Sequence, residues 1–153
     1  MSDLAEQFPD LTWSQSHGQQ VVQVPRESWT TFAAAAQEAG YDLLSDITAV
    51  DWLDRRPSRF EVVANLTSTA RAHRLRVMVS LDANDPVVPS LVPIWPGANF
   101  PEREVFDLFG IHFEGHPDLT RILMPDDWEG HPLRKDFGTG EVPVQFKASH
   151  KVN

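Results

Sequence analysis

The sequence predicts an α+β fold: a mainly antiparallel, mixed sheet with helices packed on one side, then an irregular segment and an extended C-terminal tail. Three observations predict it. Short runs rich in aliphatic and β-branched residues recur between turn formers. One alanine-rich stretch carries apolar residues at helical spacing. From Asn99 onward that periodicity gives way to acids, bases, histidines, prolines and glycines set among aromatics.

After a polar start, Gln19 to Pro25 (QQVVQVP) reads as a short strand ended by proline. Arg26 to Ala39 (RESWTTFAAAAQEA) reads as a helix. Pro25 precedes it, four alanines run through it, and Gly40 stands where a left-handed residue would end it. Trp29, Phe32 or Ala33, and Ala36 form the stripe that faces the core. Tyr41 to Trp52, Phe60 to Thr67 and Arg74 to Leu81 read as three neighbouring antiparallel strands, the first two separated by Arg56-Pro57-Ser58. In the third, Leu75, Val77, Val79 and Leu81 alternate with Arg74, Arg76, Met78 and Ser80, so one face is wet. Prolines at 86, 89, 93 and 96 leave room only for a short helical turn within Val87 to Trp95. Asn99 is placed to cap a second helix, with Pro101 and Glu102 in its first turn, Val105, Leu108 and Phe109 on one face and Gly110 at its end. Glu102 and Glu104 then read as first-turn acids favoured by the helix dipole rather than as an acid–base pair. The domain so defined covers residues 1–137. The stretch 138–153 holds little to pack beyond Val142, Val144 and Phe146 and reads as a tail. Fully extended, it reaches roughly 50 Å and could lie along a neighbour, whereas a frayed terminus is the plainer alternative.

Composition narrows the function. A chain of 153 residues with 41% hydrophobic and 23% charged residues can build its own core, burying about 70% of the surface its unfolded form exposes. No apolar run approaches the ~20 residues of a membrane helix, and Asp3 and Glu6 stand where a signal peptide would be positive. A soluble cytosolic chain is the expectation. Thirteen basic against twenty-two acidic residues give a formal charge of −9, which opposes nucleic-acid binding. The absence of cysteine excludes disulfides, thiolate zinc sites and cysteine-held iron–sulfur clusters on this chain. There is no G-x-S-x-G, no Walker loop and no G-x-G-x-x-G, and no serine within the dense region.

That dense region, residues 99–137, carries the information. Trp128, Phe106, Phe109 and Phe113 are more than a free surface loop needs, and His116, Arg121, His131, Arg134 and Asp136 are more than a core needs. The mixture suits a segment buried against another polypeptide. An internal echo, Gly115-His116-Pro117 with Arg121 and Gly130-His131-Pro132 with Arg134, fixes the direction of each imidazole and guanidinium. Arg121, Arg134 and Lys135 lie among Asp118, Asp126, Asp127 and Asp136, charges that could pair across an interface or simply brace the loop from within. His112, His116 and His131 with the nearby acids form the competing reading, a small metal hydrolase. The glycine and proline beside His116 break the helix that reading would use.

Three of these stretches resemble a known family. Glu102 to Ile111 (EREVFDLFGI), Gly115 to Leu123 (GHPDLTRIL) and Gly130 to Phe137 (GHPLRKDF) match, in order, motifs of the C-type, or 30 kDa-type, subunit of respiratory complex I, the NADH:quinone oxidoreductase. Ile47-Thr48-Ala49-Val50-Asp51 and Ile94 to Asn99 also resemble its patterns. The resemblance implies a cofactor-free structural subunit of the hydrophilic arm, without catalytic, cofactor-binding or metal residues of its own. It would dock on the large D-type subunit that forms the quinone site, near the B-type subunit that carries the terminal cluster. Flavin (FMN) and the iron–sulfur clusters would sit on those and other chains. Its place would be peripheral, on the cytoplasmic side of the cell membrane, serving electron transfer from NADH to quinone. The implied interface comprises Glu102, Arg103, Asp107, His116, Asp118, Arg121, Trp128, His131, Arg134, Lys135, Asp136 and Phe137. The same module resembles subunits of membrane-bound hydrogenases and of dehydrogenases that use other donors. After Phe137 many relatives continue with proline-leucine, whereas Gly138-Thr139-Gly140 stands here.

Overall fold

His17 and Gly18, at φ 51 and 76, close a two-residue turn between strands β1 (Thr12–Ser16) and β2 (Gln19–Gln23). Strand β1 and a short helix α1 (Asp3–Gln7) occupy the polar start, to which the sequence assigned no element, while β2 falls within the strand expected over Gln19 to Pro25. The computed structural model describes residues 3–138; the tail expected from 138 onward lies, after its first residue, outside the described residues.

Helix α2 (Trp29–Glu38), entered through a 3₁₀ turn at Arg26–Ser28, buries Trp29, Phe32, Ala33, Ala35 and Ala36, the stripe its spacing predicts. Gly40 at φ 88 ends it: its N–H donates to Gln37 O and the Tyr41 N–H donates to Ala36 O, the paired closing bonds of a Schellman turn. Strands β3 (Leu43–Asp51), β4 (Phe60–Ser68) and β5 (His73–Leu81) follow as antiparallel neighbours. The sheet order is β1-β2-β5-β4-β3, and β2 runs parallel to β5, which makes the sheet mixed.

Alternation places Val22, Leu44, Ile47, Ala49, Phe60, Val62, Leu66, Leu75, Val77 and Val79 in one buried cluster with the apolar sides of α2 and α3 (Asn99–Phe109). Both longer helices therefore cover the same face. Each large side chain buried there contributes about 1.5–3 kcal/mol relative to leaving it exposed. The other face carries Arg74, Arg76, Asn65 and Thr67 and stays partly wet.

Two expectations need correction. Val87–Pro89 is a strand, β6, paired in parallel with β7 (His112–Glu114). Proline cannot donate to a ladder, but its carbonyl still accepts, and Pro86 O takes the N–H of His112. The expected helical turn follows it, with Ile94 and Trp95 N–H groups donating to Leu91 O. Nor does Asn99 cap α3. A 3₁₀ turn (Pro96–Ala98) feeds directly into the helix, so Asn99 is itself helical, at φ −49 and ψ −58. Gly110 ends α3 at φ 71 as expected and turns the chain into β7.

Candidate functional site

The last four carbonyls of an α-helix have no partner within it. In α3 all four are met. The Gly110 N–H donates to Phe106 O, His131 Nδ1–H to Asp107 O at 2.9 Å, the Leu133 N–H to Leu108 O at 3.0 Å, and Arg134 Nε–H to Phe109 O at 2.6 Å. Segment 115–138 thus closes the C-terminal end of α3 with groups that suit its negative dipole end. A carbonyl only accepts, so neutral His131 carries its proton on Nδ1. Burial, then the charges of Arg134 and Arg121, push its pKa down, which keeps the ring neutral near pH 7.

The first Gly-His-Pro fastens the segment to the other end of α3 without capping it. His116 Nε2–H donates to Asn99 O at 3.1 Å, and its Nδ1 accepts from the Asp118 N–H at 3.0 Å. The two histidines of the sequence echo therefore pin the segment to the two ends of one helix. Arg103 fastens the middle, donating through Nε to Thr120 O and through Nη2 to Thr120 Oγ1 and Arg121 O.

Asp107 is the hub. Fully buried on α3, its carboxylate accepts the N–H groups of Ile122, Leu123 and Met124 at 3.1, 2.7 and 2.9 Å and Arg121 Nη1 at 2.8 Å. Burial alone would raise its pKa. The three N–H donors and Arg121 outweigh that and lower it. Arg121 also donates to Gly130 O. Gly130 sits at φ 87, and a Cβ there would come within 2.9 Å of the Phe137 ring, which stacks against Trp128 at 6.4 Å. The Trp128 indole N–H is buried with no acceptor among the described residues.

The segment's end is tied to the sheet by a residue the sequence did not single out by chemistry. Asp51, buried at the end of β3, accepts both Nε and Nη2 of Arg59 at 3.0 and 2.9 Å and the N–H groups of Leu53 and Lys135. Burial raises its pKa, but these donors win and hold it at about 2. Arg59 Nη2 also donates to Asp136 Oδ1 at 2.6 Å. Asp51 lay in a family-like run; nothing in the sequence marked Arg59.

Of the candidate residues, Glu102 and Asp107 are enclosed within this chain, and any part they take in docking is through the shape they impose. Arg103, His116, Arg121, Trp128, His131, Arg134 and Phe137 are partly buried, while Asp118, Lys135 and Asp136 are exposed. The dipole reading of Glu102 is corrected: it accepts Ser90 Oγ–H and the Leu91 N–H, both at 2.6 Å, and burial pushes its pKa up to about 7. Among the described residues, no three His, Asp or Glu side chains gather as metal donors, and His112, His116 and His131 make separate contacts. No described helix is long and apolar enough to cross a membrane.

Four of the five exposed large hydrophobic side chains among the described residues lie in or beside this segment: Phe100 (63% exposed), Ile122 (38%), Leu123 (62%) and Leu133 (51%). The braces thus hold an apolar surface outward.

Comparison with known proteins bears on most of the chain. Residues 22–142 match the family described as respiratory-chain NADH dehydrogenase, 30 Kd subunit. The C-type subunit of the NADH-quinone oxidoreductase of Roseiflexus castenholzii is 55% identical over 109 residues, which are 71% of this chain but only 62% of that protein. Its counterpart in Trichlorobacter lovleyi is 45% identical over 143 residues, 91% of this chain and 88% of its own length. Among solved structures, the trypsin-resistant fragment (1-134) of Nqo5 superposes with a TM-score of 0.69 at 38% identity, covering 74% of this chain and 92% of the fragment. With the matched family spanning strands β3 to β5, α3 and the braced segment together, the chain belongs to the 30 kDa subunit family of the respiratory-chain NADH dehydrogenase.

Proposed function

We propose that this chain is a cofactor-free structural subunit in the hydrophilic arm of a proton-pumping NADH:quinone oxidoreductase. It docks through residues 99–137 on the large quinone-site subunit, close to the neighbour that carries the terminal iron–sulfur cluster, and supports electron transfer from NADH to quinone without handling electrons itself. It is then a peripheral protein on the cytoplasmic side of the cell membrane, held there by its partners. The observation that carries this reading is the apolar surface of Phe100, Ile122, Leu123 and Leu133, displayed by a segment braced by hydrogen bonds within the chain. Exposed apolar side chains on a rigid, polar-braced frame suit a protein interface, where such anchors supply most of the binding energy.

The test is affinity purification of the tagged chain from its native membrane, with the co-eluting proteins identified by mass. A large quinone-site subunit is expected among them. Leu123→Asp is expected to cut that yield at least tenfold while leaving the thermal midpoint of the isolated chain unchanged. Wild-type yield from that variant would overturn the docking surface.

A further inference from the structure

Arg134 is held on three sides, its Nη2 lying against Gly110, and open on another. Its Nε–H is committed to Phe109 O, and its guanidinium carbon lies 5.2 Å from the centroid of the Phe60 ring, which Arg59 flanks at 4.9 Å. Its terminal Nη groups meet no acceptor and no ion-pair partner among the described residues. The side chain lines an open cleft of about 290 Å³ with Glu129, Gly130, His131, Asp136 and Phe137.

The acids nearby do not neutralise it. Asp51 is occupied by Arg59 and by two backbone N–H groups, and Asp136 is paired with Arg59 at 2.6 Å. Glu129 is exposed and forms no ion pair among the described residues. Two groups register the surplus. Burial and Arg59 hold the Arg134 pKa below its ordinary value despite Asp136 and Asp51, and Arg134 with Arg121 adds to the lowering of His131. A partly buried guanidinium with free N–H groups is a strong receptor for a planar carboxylate, which it can bind through two parallel hydrogen bonds. The carboxylates of Glu129 and Asp136 at the rim repel a dianion more than a monoanion, which disfavours a phosphate.

We propose that this cleft is a carboxylate-binding site, in which the terminal N–H groups of Arg134 receive an Asp or Glu side chain of the large subunit on which the segment docks. The proposal rests on the docking reading above. It adds the chemistry of the partner's contact: one acidic side chain set beside the apolar anchors.

Two measurements on the assembled complex test it. Replacement of Arg134 by citrulline keeps the Nε–H, the planar shape and the stacking on Phe60 but removes the charge. The isolated chain should then melt within about 2 °C of wild type, less than the shift a 1 kcal/mol loss produces in a domain of this size. Assembly yield should fall about tenfold. In the Arg134→Lys variant, carbodiimide should join the introduced amine to a carboxyl group of the co-purifying large subunit, a linked peptide that wild type does not give. Citrulline-bearing chain that assembles like wild type, or a linkage only to Glu129 or Asp136 of the same chain, overturns the site while leaving the docking reading intact. Wild-type chain that purifies alone overturns the docking reading, and the site with it.

Discussion

The two ends of α3 each bury one carboxylate completely, and the two have opposite fates. Glu102, near the start, receives two hydrogen bonds, from Ser90 and Leu91, and no cation. Asp107, about one and a half turns on, receives three backbone N–H groups and Arg121. Burial is common to both, so the donors decide. With two neutral donors the cost of removing the charge from water dominates and the acid holds its proton to about pH 7. With three donors and a guanidinium the charge is retained. Glu102 therefore fixes a turn as an acid still half protonated at about pH 7, and Asp107 organises the braced segment as an anion.

Breaking the anion should have the largest effect. Asp107→Ala leaves Arg121 and three N–H groups without their acceptor, and urea unfolding should show a loss of roughly 3–5 kcal/mol. Retention of wild-type stability would mean the segment does not depend on this hub. The neutral acid gives the next largest effect, with a defined sign. Because folding raises the Glu102 pKa from 4.5 to about 7, its contribution is full below pH 4.5 and is lost as pH rises through 7. Stability should fall by about 3 kcal/mol across that window, and Glu102→Gln should flatten the fall. Asp51 sharpens the contrast from the sheet side. Its pKa is depressed from 3.8 to about 2, so its contribution holds above pH 4 and fades as pH falls through 2. About 2 kcal/mol should disappear there, and Asp51→Asn should remove that acid limb. Smallest is Gly110→Ala. Its φ of 71 disfavours any side chain, and a Cβ would approach Arg134 Nη2 and His131 Nε2 to 2.5 Å. A loss of about 1–2 kcal/mol in thermal unfolding is expected, with the His131 ring displaced in its NMR spectrum.

The same contrast explains what could be read from the sequence. The three antiparallel strands and α2 were legible because their burial is local and periodic: Leu75, Val77, Val79 and Leu81 announce one face by themselves. Strand β1, TWSQS, has one apolar residue and exists because the His17–Gly18 turn folds it onto β2. Strand β6 was hidden by prolines that accept bonds though they cannot donate. In segment 99–137 the sequence marked the residues and left open whether their charges pair across an interface or brace the loop, and the fold shows the inward braces. His116, His131, Arg103 and Arg134 turn inward to helix and loop carbonyls, contacts 17 to 25 residues apart, and Lys135 meets Asp51 across 84. Such pairings follow from the packed fold, and no periodicity records them.

Phe100, Ile122, Leu123 and Leu133 give the chain a sticky side before any partner arrives. If the proposed docking holds, a copy made in excess of its partner is the vulnerable form, prone to self-association and to capture by quality-control proteases. On the proposed docking, balanced synthesis with the partner would become a condition of survival in the cell, set by a small area of oily surface.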